Sequence, residues 1–333
     1  MKVLVIGGSR FIGRHLVAKL LEVGHQVTLL NRGLTNPQLF TNLERITFDR
    51  RGGQKSKLNI SGSWDGAIDL SAYFPADVQN ILSLLTGRID RYILCSTTAV
   101  YPGIGDTSIK TLPTLHEDLP TVSCSKDQAD DTSKATYGRR KAQCERVALN
   151  QKNIPVVIIR PGFVYGAFDP TDRFAYWIWR VMSNAPFVLP DEGSLIVRKT
   201  YAPDLAATFI TALQRPNVLG KIYNVAETSL LSMRQTLQIL GDHLKSKPLD
   251  RSTSANSDFL LANGIKPETD IAFWMPHTHF IPDVSKAVND LEFVETPVEK
   301  AYSQAADYFI SLNRKVDFGM SADIELKLLN MLT

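Results

Sequence analysis

Cysteine and histidine are scarce in this chain, three and six among 333 residues. Cys95, Cys124 and Cys144 show no metal-ligand spacing and leave one over if two pair, so they read as reduced thiols of a cytoplasmic protein. His277 and His279 flank Thr278 with no third ligand in view, which gives no metal site. No apolar run approaches the roughly eighteen residues of a membrane span. The chain starts directly in a strand pattern, so no signal peptide is expected. Charge of one sign is also lacking. A net charge of +3 is too small to imply nucleic acid or an anionic membrane as a partner. No internal repeat or low-complexity tract is present. What remains is an ordinary globular composition, 44% hydrophobic and 21% charged, in a length that suits one large domain or two small ones.

The rest of the chain is organised around its first thirty-odd residues. Lys2–Ile6 is an apolar run of the kind buried on both faces of a parallel sheet. Gly7, Gly8, Ser9, Arg10, Phe11, Ile12 and Gly13 follow at once. Leu16, Val17, Leu20 and Leu21 then recur at helical spacing, and Gly24 stands where a left-handed helix end belongs. Gln26–Leu30 is a second strand. Strand, glycine turn, helix and strand make a right-handed βαβ unit. Its glycines let a backbone approach a pyrophosphate, and its helix N-terminus attracts negative charge. A dinucleotide is the ligand this context predicts, with the residues of the turn as its cradle.

After the second strand a carboxylate normally accepts from the adenosine ribose. Asn31 and Arg32 stand here instead, with Arg10 in the glycine turn. Two guanidinium groups and no carboxylate favour an added 2′-phosphate, hence NADP over NAD, unless Arg32 is a solvated turn residue. Further strands are expected at Arg45–Phe48, Gly66–Leu70 and Arg91–Cys95, with a polar loop over 51–63. Asp49 suits an adenine amino group or a plain turn equally. The small residues Ser71 and Ala72, followed by Tyr73, let a cofactor backbone pass close. A helix is expected over Asp77–Thr86, capped near Asp77. Residues 102–131 read as a long loop over the site. A helix over Thr132–Asn150 carries Tyr137 and Lys141 on one face. An ammonium near a phenol lowers the phenol's pKa and makes it a usable base. Tyr176, Trp177 and Trp179 on a helix over Asp172–Asn184 suit the core better than a stacked substrate base.

These motifs together resemble the extended short-chain dehydrogenase/reductase family, the NAD-dependent epimerases and dehydratases of nucleotide sugars. The turn Gly7–Gly13 is similar to its Gly-x-x-Gly-x-x-Gly loop. Residues 96–101, ending in Val100-Tyr101, are similar to its Ser/Thr-rich stretch, and Tyr137–Lys141 to its Tyr-x-x-x-Lys. Residues 116–120 resemble its acidic segment, 159–166 its Arg-Pro-x-x-Val-Tyr-Gly element, and 201–206 and 222–225 its later helix start and strand. The resemblance implies Tyr137 as general acid/base, Lys141 on the nicotinamide ribose and Thr97 helping to hold the substrate oxygen. It further implies Pro161 at the cofactor, and Thr98 and Arg198 at the substrate.

The expected fold is α/β, a doubly wound (Rossmann) parallel sheet with a smaller C-terminal substrate lobe. Residues 1–165 would form the dinucleotide-binding core and 166–333 mainly the substrate lobe, with 200–225 returning to the core. The resemblance implies a small-molecule partner such as a nucleotide sugar, and a homodimer through the helices at 77–86 and 132–150. Three departures stand out. Arg10 takes the place of the family's middle loop glycine. Residues 121–136 read as an insertion between Thr97 and Tyr137. Arg198 is one position off the family's phosphate-binding arginine. Arg-containing loops of this kind also occur in a divergent branch resembling chloroplast stem-loop RNA-binding proteins, so a non-catalytic or RNA-binding protein is the alternative. Thr98 and Ala99 stand where a dehydratase carries acids, which favours epimerase or reductase chemistry.

Overall fold

The computed structural model describes residues 1–51 and 60–332; most of the loop expected over 51–63 lies outside them. The first half of the chain alternates strand and helix. Lys2–Ile6 (β1) is followed by Ile12–Glu22 (α1), Gln26–Asn31 (β2), Glu44–Thr47 (β3) and Gly66–Asp69 (β4). Pro75–Leu85 (α2), Tyr92–Cys95 (β5), Lys126–Asp130 (α3), Tyr137–Asn150 (α4) and Val156–Pro161 (β6) come next. The second half holds Phe163–Tyr165 (β7), Arg173–Met182 (α5), Phe187–Pro190 (β8), Lys199–Tyr201 (β9), Ala202–Gln214 (α6) and Ile222–Val225 (β10). It closes with Met233–Leu244 (α7), Ser252–Ala255 (β11), Ser257–Ala262 (α8), Ser285–Leu291 (α9), Val298–Ser311 (α10) and Ala322–Leu332 (α11).

Seven strands form one parallel sheet in the order β10-β6-β5-β4-β1-β2-β3. Successive β1 side chains serve opposite faces, as strand geometry requires. Val3 and Val5 pack with Leu16, Val17, Leu20 and the α6 residues Leu205 and Phe209. Leu4 and Ile6 pack with Ile81 and Leu85 of α2 and Cys144 and Ala148 of α4. The sheet is therefore covered on both faces, and each fully buried aliphatic contributes about 1.5–3 kcal/mol. The order reverses at β1, where β2 lies on one side and β4 on the other, and ligands of such sheets bind at this switch point. Gly24, at φ 80°, ends α1 in the left-handed conformation expected of it.

Several boundaries move. The helix expected from Thr132 starts at Tyr137. Ahead of it, Ser125 and Gln128 form a reciprocal cap that starts the short α3, and Asp131 accepts from the Ser133 backbone and hydroxyl and turns the chain. These local side-chain bonds outcompete continuation of one helix. Asp77 does not cap α2: Phe74 is the cap residue, Pro75 opens the helix, and Asp77 lies buried in its first turn. Tyr176 and Trp177 are core residues, with the Trp177 indole donating to the Ala272 carbonyl at 2.9 Å, while Trp179 stays 48% exposed. The tail after residue 312 is helical only from Ala322.

Candidate functional site

The carboxyl ends of β1, β2 and β4 open onto a cavity of about 650 Å³. The glycine turn makes its floor. Gly7 and Gly8 take φ values of 107° and 87°, which L side chains avoid. A Cβ on Gly13 would lie 2.7 Å from the Gly8 Cα, so the turn and the first turn of α1 touch backbone to backbone. No side chain caps α1, which leaves its N-terminus to an anion. Ser9, Arg10, Phe11 and Ile12 all line the cavity. The residues present therefore fit a dinucleotide.

The sequence-predicted cofactor residues fall into two groups. Arg10, Arg32 and Asp49 line the cavity and are exposed. Among the described residues, the Arg10 and Arg32 side chains make no hydrogen bond or ion pair. Asn31 is committed elsewhere: its amide donates to the Gly7 carbonyl at 2.9 Å and its oxygen accepts from the Gly33 N–H at 2.9 Å. It braces the glycine turn in the place where a ribose-binding carboxylate would stand.

Ser71, Tyr73 and Phe74 line the opposite wall with Ala72 buried between them, and each of the four is held by a cation. Arg50 donates to the Ser71 hydroxyl at 3.0 Å. Lys141 donates to the Ala72 carbonyl at 2.8 Å and Arg140 to the Tyr73 carbonyl at 3.0 Å. The Phe74 ring lies between the guanidinium groups of Arg51 and Arg140, 3.6 and 4.6 Å from its centre. Tyr73, 46% exposed, connects the cavity to Tyr137, with ring centres 6.4 Å apart.

Tyr137 opens α4 and is half-buried. Thr97 is close enough to pull the phenol's pKa down, and its hydroxyl oxygen accepts from the Ala99 N–H at 3.2 Å. Glycine at 138 permits this arrangement, because a Cβ there would overlap the Ala99 carbonyl oxygen. Behind the phenol, Glu145 anchors α4 to the sheet. It pairs with Arg160 through contacts of 2.9 and 2.6 Å and accepts from the Ser96 hydroxyl at 2.5 Å. Arg160 further donates to the Tyr101 hydroxyl at 2.9 Å.

Lys141 is not among the largest influences on the Tyr137 phenol in this structure. Burial first, and then the neighbouring Cys95, push the phenol up to about 12, against the downward pull of Thr97 and of the charges of Arg173 and Arg140. Lys141 instead donates to the carbonyls of Ala72 and Cys95, at 2.8 and 2.5 Å. The two predicted substrate residues are also engaged away from Tyr137. Thr98 is buried and donates to the Pro161 carbonyl at 3.2 Å. Arg198 donates to the carbonyls of Pro282 and Thr228 at 2.9 and 2.7 Å.

Residues 3–58 and 76–226 match the NAD dependent epimerase/dehydratase family. The chain belongs to that family. Among curated proteins, the chloroplast stem-loop binding protein of 41 kDa b from Arabidopsis thaliana is 27% identical over 241 residues, 68% of this chain and 58% of that protein. The 2′-dehydrokanamycin reductase of Streptomyces kanamyceticus is 23% identical over 71% of this chain and 64% of its own length. The chain thus spans about three fifths of the length of these relatives. UDP-glucuronic acid 4-epimerase from Bacillus cereus, solved in complex with NAD, has the same fold. It superposes with a TM-score of 0.69 at 21% identity, covering 94% of this chain and 97% of its own. Among the described residues, no helix is long and apolar enough to cross a membrane.

Proposed function

We propose that this member of the family is an NAD(P)-dependent epimerase or reductase acting at a hydroxyl or keto carbon of a nucleotide-sugar-like substrate. The observation that carries the reading is the close packing of the Tyr137–Gly138 turn on the Thr97–Ala99 turn, with the Tyr137 ring 6.4 Å from Tyr73, which lines a dinucleotide-sized cavity. Bound nicotinamide supplies the place from which hydride leaves or to which it goes. Tyr137 holds the substrate oxygen together with Thr97 and moves the proton between that oxygen and its own phenol. Lys141 has three N–H bonds and spends two on Ala72 and Cys95, which leaves one for a ribose hydroxyl. A phenol near 12 is suited to protonating a developing alkoxide, and it acts as a base only once a bound positive charge lowers it. The unpaired arginines, Arg10 and Arg32, support NADP over NAD through a 2′-phosphate. A nucleotide-sugar substrate is supported by the solved neighbour from Bacillus cereus, which takes UDP-glucuronic acid and NAD.

The deciding experiment is calorimetry of wild type and Tyr137→Phe with NADP(H) and NAD(H), followed by turnover on UDP-sugars and their keto forms. Full dinucleotide affinity with turnover reduced at least about a thousandfold in the variant is the expected result. Wild-type turnover in the variant sinks the assignment. A second reading, RNA binding, is favoured by the stem-loop binding relative. It prevails if wild type binds no dinucleotide and shifts a stem-loop RNA in a salt-dependent manner.

A further inference from the structure

Four arginines surround the adenosine end of the cavity, Arg10, Arg32, Arg50 and Arg51, and they are not equivalent. A guanidinium has donors along its edge and a flat π face, and the two recognise different things. Edges bind phosphate and carboxylate; faces bind aromatic rings. What each arginine offers a ligand depends on which part the protein has already used.

Arg51 has its face on Phe74, 3.6 Å from the ring centre. Arg10 and Arg32 keep their edges, since they pair with nothing among the described residues. Arg50 is the reverse case. Its two terminal nitrogens donate to the two oxygens of Asp69 at 2.9 and 2.8 Å, and one of them donates again to the Ser71 hydroxyl at 3.0 Å. Its Nε is sealed in the wall without a partner. The side chain is 10% exposed, yet it lines the cavity. Three of its five N–H donors are used and Nε is sealed off, so the face is the larger part it can present there.

The pair itself is built firmly. Asp69, the last residue of β4, is fully buried. It also accepts from the Tyr92 hydroxyl at 2.5 Å and from the Ser71 N–H at 2.8 Å. The Arg50 guanidinium holds its carboxyl below the usual carboxylate range. A buried bidentate pair with every acceptor engaged fixes the guanidinium plane. Removing one partner would strand a buried charge, so a rigid flat cation is retained beside the switch point of the sheet.

We infer that Arg50, locked by Asp69, is a stacking platform for the purine of the dinucleotide, distinct from the edge-on arginines that meet its phosphates. The inference rests on the dinucleotide reading above and adds to it the residue that recognises the base.

The test is calorimetry of wild type and Arg50→Lys with NADP, 2′-phospho-ADP-ribose and nicotinamide mononucleotide. Lysine keeps a cation for Asp69 and lacks the plane. The expected loss is about tenfold for NADP and equally for 2′-phospho-ADP-ribose, with no change for the mononucleotide. That loss should be insensitive to salt, unlike a loss of phosphate contacts. Unchanged affinity for 2′-phospho-ADP-ribose, or a loss that vanishes at high salt, overturns the inference. Should the lysine variant fail to fold, Arg50→Met combined with Asp69→Asn removes both charges together and is read by the same criteria. If wild type binds none of the three ligands, the dinucleotide reading fails and this inference fails with it. If wild type binds and the variant matches it, the inference alone fails.

Discussion

Gly138 and Ala99 touch backbone to backbone, so that the Cβ of any other residue at 138 would overlap the Ala99 carbonyl oxygen. The contact sets how near the first turn of α4 comes to the turn that presents Thr97. Gly138→Ala should push the two apart. The expected result is a destabilisation of about 1–3 kcal/mol in the melting curve and a fall in turnover of at least about tenfold through displacement of the Tyr137 phenol from Thr97. Dinucleotide affinity, set at the other end of the cavity, should change less than twofold or so. A variant with wild-type turnover would show that this contact does not position the phenol.

The unpaired Arg10 and Arg32 give a separate prediction. Arg32→Ala should weaken NADP about tenfold, a charge-assisted hydrogen bond lost. NAD, which has no 2′-phosphate, should bind as before. Arg10→Ala should act in the same direction. The NADP deficit should shrink as salt rises, because both side chains are exposed. Equal losses for NAD and NADP would assign these arginines to the shared pyrophosphate instead.

Glu268 introduces a pH dependence. Its carboxyl lies 3.5 Å from Arg173, and burial pushes its pKa from 4.5 up to about 7. A carboxyl raised on folding binds its proton more tightly in the folded chain than in the unfolded one. Its effect on stability is nil below the unfolded pKa. It turns unfavourable as pH climbs from 4.5 through about 7 and reaches at most about 3 kcal/mol above that. Glu268→Gln should abolish this decline. The variant's melting temperature should gain on wild type between about pH 5 and about pH 8, and parallel pH profiles would rule out Glu268 as the source.

Much of the core was legible because its signals are local. The run Lys2–Ile6, the glycine turn and the spacing of Leu16, Val17 and Leu20 sit within one short stretch, and each implies the next. The turn that lines the cavity was readable for the same reason. What escaped depends on neighbours far apart in the chain. The Arg50–Asp69 pair is visible only once β3 and β4 lie on either side of the β1–β2 ladder. Glu145 and Arg160 look like surface charges until α4 is laid on β6. The bond from Thr98 to the Pro161 carbonyl is hidden in the sequence because 63 residues separate the two. Asn31 lines the cavity, and only the fold shows that its amide also closes the glycine turn. The start of α4 was missed because a serine cap and an aspartate turn interrupt a stretch whose composition suits a continuous helix.

The wall at residues 71–74 bears on the kinetics of exchange. Four successive residues are tethered, to the end of β3 on one side and to α4 on the other. A wall fastened at every residue has no hinge on which to swing. Entry on this side is then into a standing groove, and the residence time of a dinucleotide is set by how fast it sheds its own contacts, not by the opening of a flap.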